Sequence, residues 1–210
     1  MNIGVIGAGN VGSALGKRWS AVGHHIKFGV RDPRKPEVVE LVRNCGPNAT
    51  AGTVADTASF GEAVAIATPW PATQQAIQSA GSLIAKIVID CTNPLKSDLS
   101  GLAVGYTTSA AELIASWAAG ARVVKCFNTT GANNMENPNY GADRAAMFFC
   151  GDDIDAKRVV RKLGEDIGFD MVDAGDLQAA RLLEPLAMLW IHLAFRGRLG
   201  REIAFKLLRR

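Results

Sequence analysis

The 210 residues contain only four cysteines and three histidines. Cys45, Cys91, Cys126 and Cys150 are widely spaced with no CxxC pair, and His24, His25 and His192 stand at no ligand spacing from a cysteine or an acid. A metal site is therefore not expected. Three of the thiols close apolar runs and read as buried and reduced. Missing too is any run of Lys and Arg interleaved with aromatics, and the formal net charge is only +3. That argues against a nucleic-acid surface. No apolar run reaches the ~20 residues that span a bilayer. The most apolar late stretch, LLEPLAMLWIHLAF (182–195), is interrupted by Glu184 and Pro185. Met1 leads straight into NIGVIGAG with no basic segment and no small-residue cleavage site. A signal peptide is not expected, and the location expected is cytoplasmic. Also absent are a Ser/His/acid set, paired carboxylates and HExxH, so the chain offers no evident hydrolytic machinery.

What remains is a chain that is 48% hydrophobic with 22 glycines, enough for one compact core. Short β-branched runs alternate with helical stretches: NIGVIG, then NVGSALGKRWSAVG; HIKFGV, then PEVVELVRN. Further strands are expected at ATAGTV, EAVAIATP, AKIVIDCTNP, ARVVKCFN, AAMFFCGD and FDMVDAG. Ser109 with Glu112 three residues on predicts a capping box opening a helix at AAELIASWAAG. The loop TTGANNMENPNYGAD is polar, and Asp176 to Arg210 reads as helical almost throughout, broken around RGRLG. Such alternation implies an α/β fold, a doubly wound, mostly parallel sheet with helices on both faces. Residues 1–175 are expected to form a Rossmann-type dinucleotide-binding domain, with 176–210 a helical extension packed on it.

GAGNVG carries G-x-G-x-x-G at Gly7, Gly9 and Gly12. It follows an apolar strand and opens a helix, the context that makes the motif informative. Gly7 permits the tight turn, Gly9 lets the backbone approach a pyrophosphate, and Gly12 lets helix and strand pack closely. The amides of Asn10 and Val11 then face phosphate oxygens at a positive helix end. An acid at the end of the second strand would hold the ribose 2′-hydroxyl of NAD. Here FGVRDPRK places Val30 and Arg31 instead. A guanidinium there pairs with a 2′-phosphate, with Arg34 and Lys35 adding charge, so NADP(H) is the expected cofactor. Asp32 leaves a second reading open, either a ribose ligand or a cap on the turn before Pro33.

In an open α/β sheet the ligand crosses the carboxyl ends of the strands. Those ends read Thr68-Pro69-Trp70, Thr92-Asn93-Pro94 and Asn128-Thr129-Thr130. Asn93 reads equally as a turn residue before proline. Trp70 either roofs the core or stacks on a planar substrate ring. No evident general acid is placed there; Lys96 and Tyr106 lie in the following loop, with nothing to fix them on the site.

The stretches IGAGNVGSALGKRW, GHHIKFGVRDP, IATPWPAT, CFNTTGANNM, FFCGDDIDAKRVV and DAGDLQAARLLEPLAMLW together resemble the F420-dependent NADP oxidoreductase family. That family includes the archaeal F420H2:NADP oxidoreductases and the cytosolic reductase domain of the STEAP ferric reductases. The resemblance covers essentially the whole chain. It implies that Val30, Arg31 and Lys35 bind the 2′-phosphate, and that the TPW stretch and the FNTT loop face the nicotinamide. It also implies hydride transfer between NADPH and a deazaflavin or flavin: F420, FMN or FAD. Val30 is a departure, because the archaeal proteins tend to carry Ser or Thr there. The STEAP proteins continue into membrane helices that are not found here, so a transmembrane haem reductase is not expected.

The expectation is an NADPH-dependent reductase with a small-molecule hydride acceptor. Cofactor-binding residues are Gly7, Gly9, Asn10, Val11, Gly12, Val30, Arg31, Lys35, Thr68, Pro69, Trp70, Asn93 and Asn128. Two alternatives stand beside it: an imine or ketone reductase of the pyrroline-carboxylate type, and a non-catalytic NADP-sensing module. Because LLEPLAMLWIHLAF is apolar on nearly every side, a homodimer through the C-terminal helices is also expected.

Overall fold

The computed structural model describes residues 1–210. In chain order the elements begin β1 (Asn2–Ile6), α1 (Asn10–Ala21), β2 (His25–Gly29), α2 (Pro36–Cys45), β3 (Ala49–Gly52) and α3 (Val54–Phe60). They continue β4 (Ala63–Ile66), α4 (Trp70–Ala80), β5 (Ile87–Asp90), α5 (Ala110–Trp117), β6 (Arg122–Lys125) and α6 (Ala132–Glu136). A two-stranded hairpin, β7 (Asn139–Tyr140) with β8 (Asp143–Arg144), precedes β9 (Ala146–Gly151), α7 (Ile154–Asp166), β10 (Asp170–Asp173) and α8 (Ala180–Ile191).

The main sheet has eight strands in the order β10-β9-β6-β5-β4-β1-β2-β3. From β3 to β6 every pairing is parallel, and the order is that of the doubly wound dinucleotide-binding sheet. β9 runs antiparallel to β6, and β10 follows β9 in parallel. Strand order reverses at β1, which pairs with β2 on one side and β4 on the other. A crevice opens there, outside the carboxyl ends.

Alternation of side chains along each strand supplies two cores. Ile3, Val5, Ala63, Ala65, Ile87 and Ile89 face a cluster with α1, α2 and α7. Ile6, Val64, Ile66 and Val88 face the opposite cluster with α3, α4, α5 and α8. Both faces of these short strands are buried, which is why they read as continuous apolar runs.

Three local features differ from the sequence reading. α3 fills a stretch left unassigned between two expected strands; Thr53 caps it, its hydroxyl accepting from the Asp56 amide while the Asp56 carboxylate accepts from the Thr53 amide. The polar loop after β6 contains α6 and the hairpin. The expected break around RGRLG is present, but the helix expected beyond it does not resume. After α8 comes one wide turn, His192–Arg196, and the rest of the chain is non-helical. Arg198 (φ 57°) and Gly200 (φ 76°) turn the chain back. The tail then lies along the domain, with the Phe205 carbonyl accepting from the Ala146 amide (2.8 Å). The Ile203 carbonyl accepts from Trp190 Nε1 (2.7 Å) and Asn134 Nδ2 (2.7 Å). Tertiary partners for backbone groups, invisible in local periodicity, decide this segment. No helix is long and apolar enough to cross a membrane.

Candidate active site

The first strand–turn–helix unit builds one wall of the crevice. Gly7 takes φ +107°, and a Cβ there would lie 2.6 Å from the Ala67 carbonyl oxygen. At Gly12 a Cβ would fall 1.9 Å from the Gly7 carbonyl oxygen, so α1 and the turn touch backbone to backbone. Gly9 is different: a Cβ there would meet nothing within 4 Å, the side facing it being open. No side chain caps α1, and its first backbone bond runs from Ser13 to the Gly9 carbonyl (2.8 Å). The amides of Asn10, Val11 and Gly12 are left without partners in the chain. Open space over Gly9 and unpaired amides at the positive end of a twelve-residue helix are what a pyrophosphate requires. The residues present fit a dinucleotide.

A cleft of about 510 Å³ runs from this turn to the end of β2, lined by Gly7, Gly9, Val30, Arg31, Lys35 and, from β4, Thr68 and Pro69. The exposed Arg31 guanidinium has no hydrogen-bond or ion-pair partner in the chain. Asp32 takes the turn-capping role: its Oδ1 accepts from the Arg34 amide (3.0 Å), with Arg34 Nε 3.7 Å away. The Lys35 ammonium lies 3.7 Å from Glu37. Val30 lines the cleft with no polar side-chain atom to offer, and its amide donates to the Gly52 carbonyl (3.1 Å).

Further along the strand ends, Thr68 bonds to Thr73 (3.0 Å) at the start of α4. Trp70 does not line the cleft. It stacks on Trp117 of α5, with ring centroids 5.4 Å apart and planes inclined by 27°, and so joins α4 to α5. Asn93 and Asn128 hold each other. Asn93 Nδ2 donates to the Asn128 carbonyl (2.9 Å), and Asn128 Nδ2 donates to Asn93 Oδ1 (3.0 Å) and to the Leu183 carbonyl of α8 (3.2 Å). Asn128 Oδ1, buried, has no partner. Phe127 swings Asn128 into this position with φ +59°, a left-handed conformation uncommon for an aromatic residue. Its buried ring packs edge-on against Trp19 (5.5 Å) and near Phe169 (6.3 Å). The Tyr106 side chain is 97% exposed.

Beneath these ends lies a cluster absent from the sequence reading. Lys125, Asp90 and Glu184 are all buried. The Lys125 ammonium donates to Asp90 Oδ2 (2.8 Å) and the Thr92 carbonyl (2.7 Å), and pairs with Glu184 Oε1 (2.9 Å). Asp90 Oδ1 accepts from the amide and hydroxyl of Thr92, both at 2.8 Å. Glu184 accepts from the amides of Ala110 (3.0 Å) and Ala111 (3.3 Å), at the start of α5. Burial by itself would lower the Lys125 ammonium, but the two carboxylates hold it above the ordinary lysine value. Burial pushes Glu184 above the ordinary carboxylate range, against the pull of Lys125. A charge closing an otherwise apolar strand, as in IVID and RVVK, is the signal that would have found the cluster. The thiols beside it are inert: burial raises Cys91 and Cys126 far above their usual range and Cys150 to about 12.

The capping box expected at Ser109 is half formed. Ser109 Oγ accepts from the Glu112 amide (3.2 Å), but the Glu112 carboxylate turns to the Ser109 hydroxyl (2.7 Å) and to Arg181, which grips it at 2.9 and 2.6 Å. The Arg181 guanidinium beside it, and then Ser109, hold Glu112 below the usual glutamate value. A depressed carboxylate stabilises the fold above its unfolded value, and that contribution is lost as pH falls through the folded one. Glu112→Gln should therefore lower stability at pH 7 by up to about 1 kcal/mol, the pair being partly exposed. In urea unfolding the deficit should shrink as the pH drops below 4; a constant deficit would exclude the ion pair as its cause.

Comparison with known proteins converges on this geometry. The model of the family "NADP oxidoreductase coenzyme F420-dependent" matches residues 2–94. The F420-dependent NADP reductase of Methanothermobacter thermautotrophicus is 30% identical, over 94% of this chain and 91% of that protein. The chain belongs to the F420-dependent NADP oxidoreductase family. It is accordingly an NADP-dependent oxidoreductase, and the expectation of a non-catalytic module is set aside. Among solved structures, a putative F420-dependent NADP reductase from Arthrobacter sp. FB24 superposes with a TM-score of 0.89 at 31% identity, covering 99% of both chains. The metalloreductase STEAP3 of Rattus norvegicus is 27% identical over 89% of this chain and 36% of its own length. A reductive aminase from Aspergillus terreus shares the fold alone (TM-score 0.70, 18% identity).

Proposed function

We propose that this member of the family binds NADPH across the strand ends and passes hydride to a deazaflavin of the F420 kind or to a flavin. One observation carries the cofactor half: an open glycine turn with unpaired amides shares a cleft with an unpartnered guanidinium. In this reading Gly9, Asn10, Val11 and Gly12 hold the pyrophosphate, Arg31 and Lys35 the 2′-phosphate, and Thr68, Asn93 and Asn128 border the nicotinamide. Trp70, stacked on Trp117, supports the wall from behind.

NADPH when bound supplies the hydride, and a deazaflavin or flavin ring accepts it. For such a pair the protein's task is to align two planar rings, a proximity effect. Thr68, Asn93 and Asn128 are neutral and mutually fixed, which suits alignment. Reducing a carbonyl or imine also calls for a placed acid, typically worth ~10²–10⁴ in rate. The acids that line the cleft, Asp32 and Glu37, lie at the β2 end, away from Thr68, Asn93 and Asn128, and the buried carboxylates are engaged with Lys125. The names of the relatives agree with F420. In single-turnover assays F420, FMN or FAD should oxidise NADPH faster than any ketone or imine. The rate should stay nearly flat between about pH 6 and 8, where a matched acid would impose a slope. Turnover with an imine only, or a steep profile tracking one side chain, would favour the imine-reductase chemistry.

We also propose a homodimer built on α8. The helix buries Leu183, Ala187 and Trp190 but leaves Leu182 71% and Leu189 47% exposed, with Phe195 at 59% and Leu199 at 58% just beyond. Leu182 and Leu189, seven residues apart, share one face of the helix, and an exposed apolar face is what a self-associating surface presents. Light scattering should give a dimer at micromolar concentration and a monomer for Leu182→Glu/Leu189→Glu; a monomeric native chain would reject the proposal.

A further inference from the structure

We infer that the buried Asp90–Lys125–Glu184 triad is a positioning device for hydride transfer, one that sets the Asn93–Asn128 pair and acts on rate rather than on cofactor affinity. The inference rests on the proposed placement of the nicotinamide at these strand ends.

The triad joins the last residue of β5, the last residue of β6 and the middle of α8. Its grip extends to atoms adjacent to both asparagines. Lys125 and Asp90 fix the carbonyl, amide and hydroxyl of Thr92, the residue before Asn93. Glu184 follows Leu183, whose carbonyl accepts from Asn128. Lys125 itself lies three residues before Asn128, across the left-handed Phe127. A strained residue persists only where its surroundings over-determine it. Here the triad lies below, the Trp19 and Phe169 rings lie beside it, and the asparagine pair lies above.

The charge pairing itself is a poor source of stability, since well-packed apolar residues of similar volume often hold a core as well or better. What an ammonium with three fixed acceptors adds is direction: two strand ends and the middle of a helix are held at set distances. The residues that would bind the pyrophosphate and 2′-phosphate sit elsewhere, on the β1 and β2 side of the crevice. Loosening the triad should leave them in place. Asn128 Oδ1 is the acceptor that the pair leaves without a partner, and its position is what the triad defines.

The test is the all-apolar variant Asp90→Leu/Lys125→Met/Glu184→Leu, compared with the native chain by melting temperature, NADPH affinity and single-turnover oxidation of NADPH by F420 or FMN. The melting temperature should fall, because the Thr92 amide and hydroxyl and the Ala110 and Ala111 amides lose their acceptors. With both proteins folded at the assay temperature, NADPH affinity should stay within about threefold, while the transfer rate falls by roughly ten- to a hundredfold, the scale of a small misplacement. Asn128→Ala should slow the native chain about tenfold yet cost little more in the triple variant, because coupled residues are not additive. A triple variant with the native rate, or additive effects of the two changes, overturns the inference. Should the triple variant not fold, Glu184→Gln keeps the Asp90–Lys125 pair and should show the same split at smaller size; a native rate there overturns it equally. A native chain that binds NADPH but reduces none of the acceptors removes the proposed function, and this inference with it.

Discussion

Gly9→Ala is expected to melt with the native chain yet bind NADPH at least about tenfold more weakly, whereas Gly12→Ala should lose both stability and binding. The two glycines share one motif but meet different surroundings. A Cβ on Gly9 projects into open space from an extended backbone (φ −79°, ψ −166°) that alanine adopts readily. Its only cost is to stand where a phosphate must come. A Cβ on Gly12 falls 1.9 Å from the Gly7 carbonyl oxygen and 3.1 Å from Val5 Cγ1. The nearest atoms are the Gly7 backbone, which prevents a cheap adjustment, so α1 must shift off β1. Overpacking of this kind costs about 1–3 kcal/mol, and the shift disturbs the amides of Asn10 and Val11. Thermal melts beside isothermal titration separate the two outcomes. Native-like NADPH affinity in Gly9→Ala would remove the pyrophosphate from this turn.

Arg31→Ala should erase most of the preference for NADPH over NADH. A hydrogen-bonded charge pair contributes roughly 1.5–3 kcal/mol, about ten- to a hundredfold in affinity. The exposure of Arg31 places the effect toward the lower end, and Lys35 retains part of the attraction. Titration of the native and variant chains with both dinucleotides checks it. Equal affinities in the native protein would transfer the role to Asp32, whose Oδ1 already holds the Arg34 amide but whose second oxygen makes no bond in the chain.

These two corners of the site were readable beforehand because each is local. A glycine motif between a strand and a helix declares its own conformation, and the basic residues at the end of β2 lie within a few positions of one another. The strand ends were readable only in part. Thr68, Asn93 and Asn128 stand out because they follow apolar runs, but their hydrogen-bond partners do not: nothing near Asn93 in the chain indicates Asn128, 35 positions on. Trp70 was placed on the site's side of the sheet, and its stacking on Trp117 emerged only with the packing of α4 on α5. The polar loop after β6 concealed a short helix and a hairpin too brief to impose a period.

By itself the sequence determined the alternation of strands and helices, the parallel sheet and the dinucleotide turn, since each rests on residue types at short, fixed spacing. Tertiary structure alone decided where the chain's buried charges go. Asp90, Lys125 and Glu184 are distant in sequence, and each taken alone is a costly group in a core; together they complete one another's hydrogen bonds. It also decided the course of the last residues, where apolar composition favoured helix. The tail extends instead because the Ala146 amide, the Trp190 indole and the Asn134 amide offer its carbonyls partners. A backbone takes the conformation in which its polar groups are satisfied, and for this segment those partners exist only once the sheet has formed.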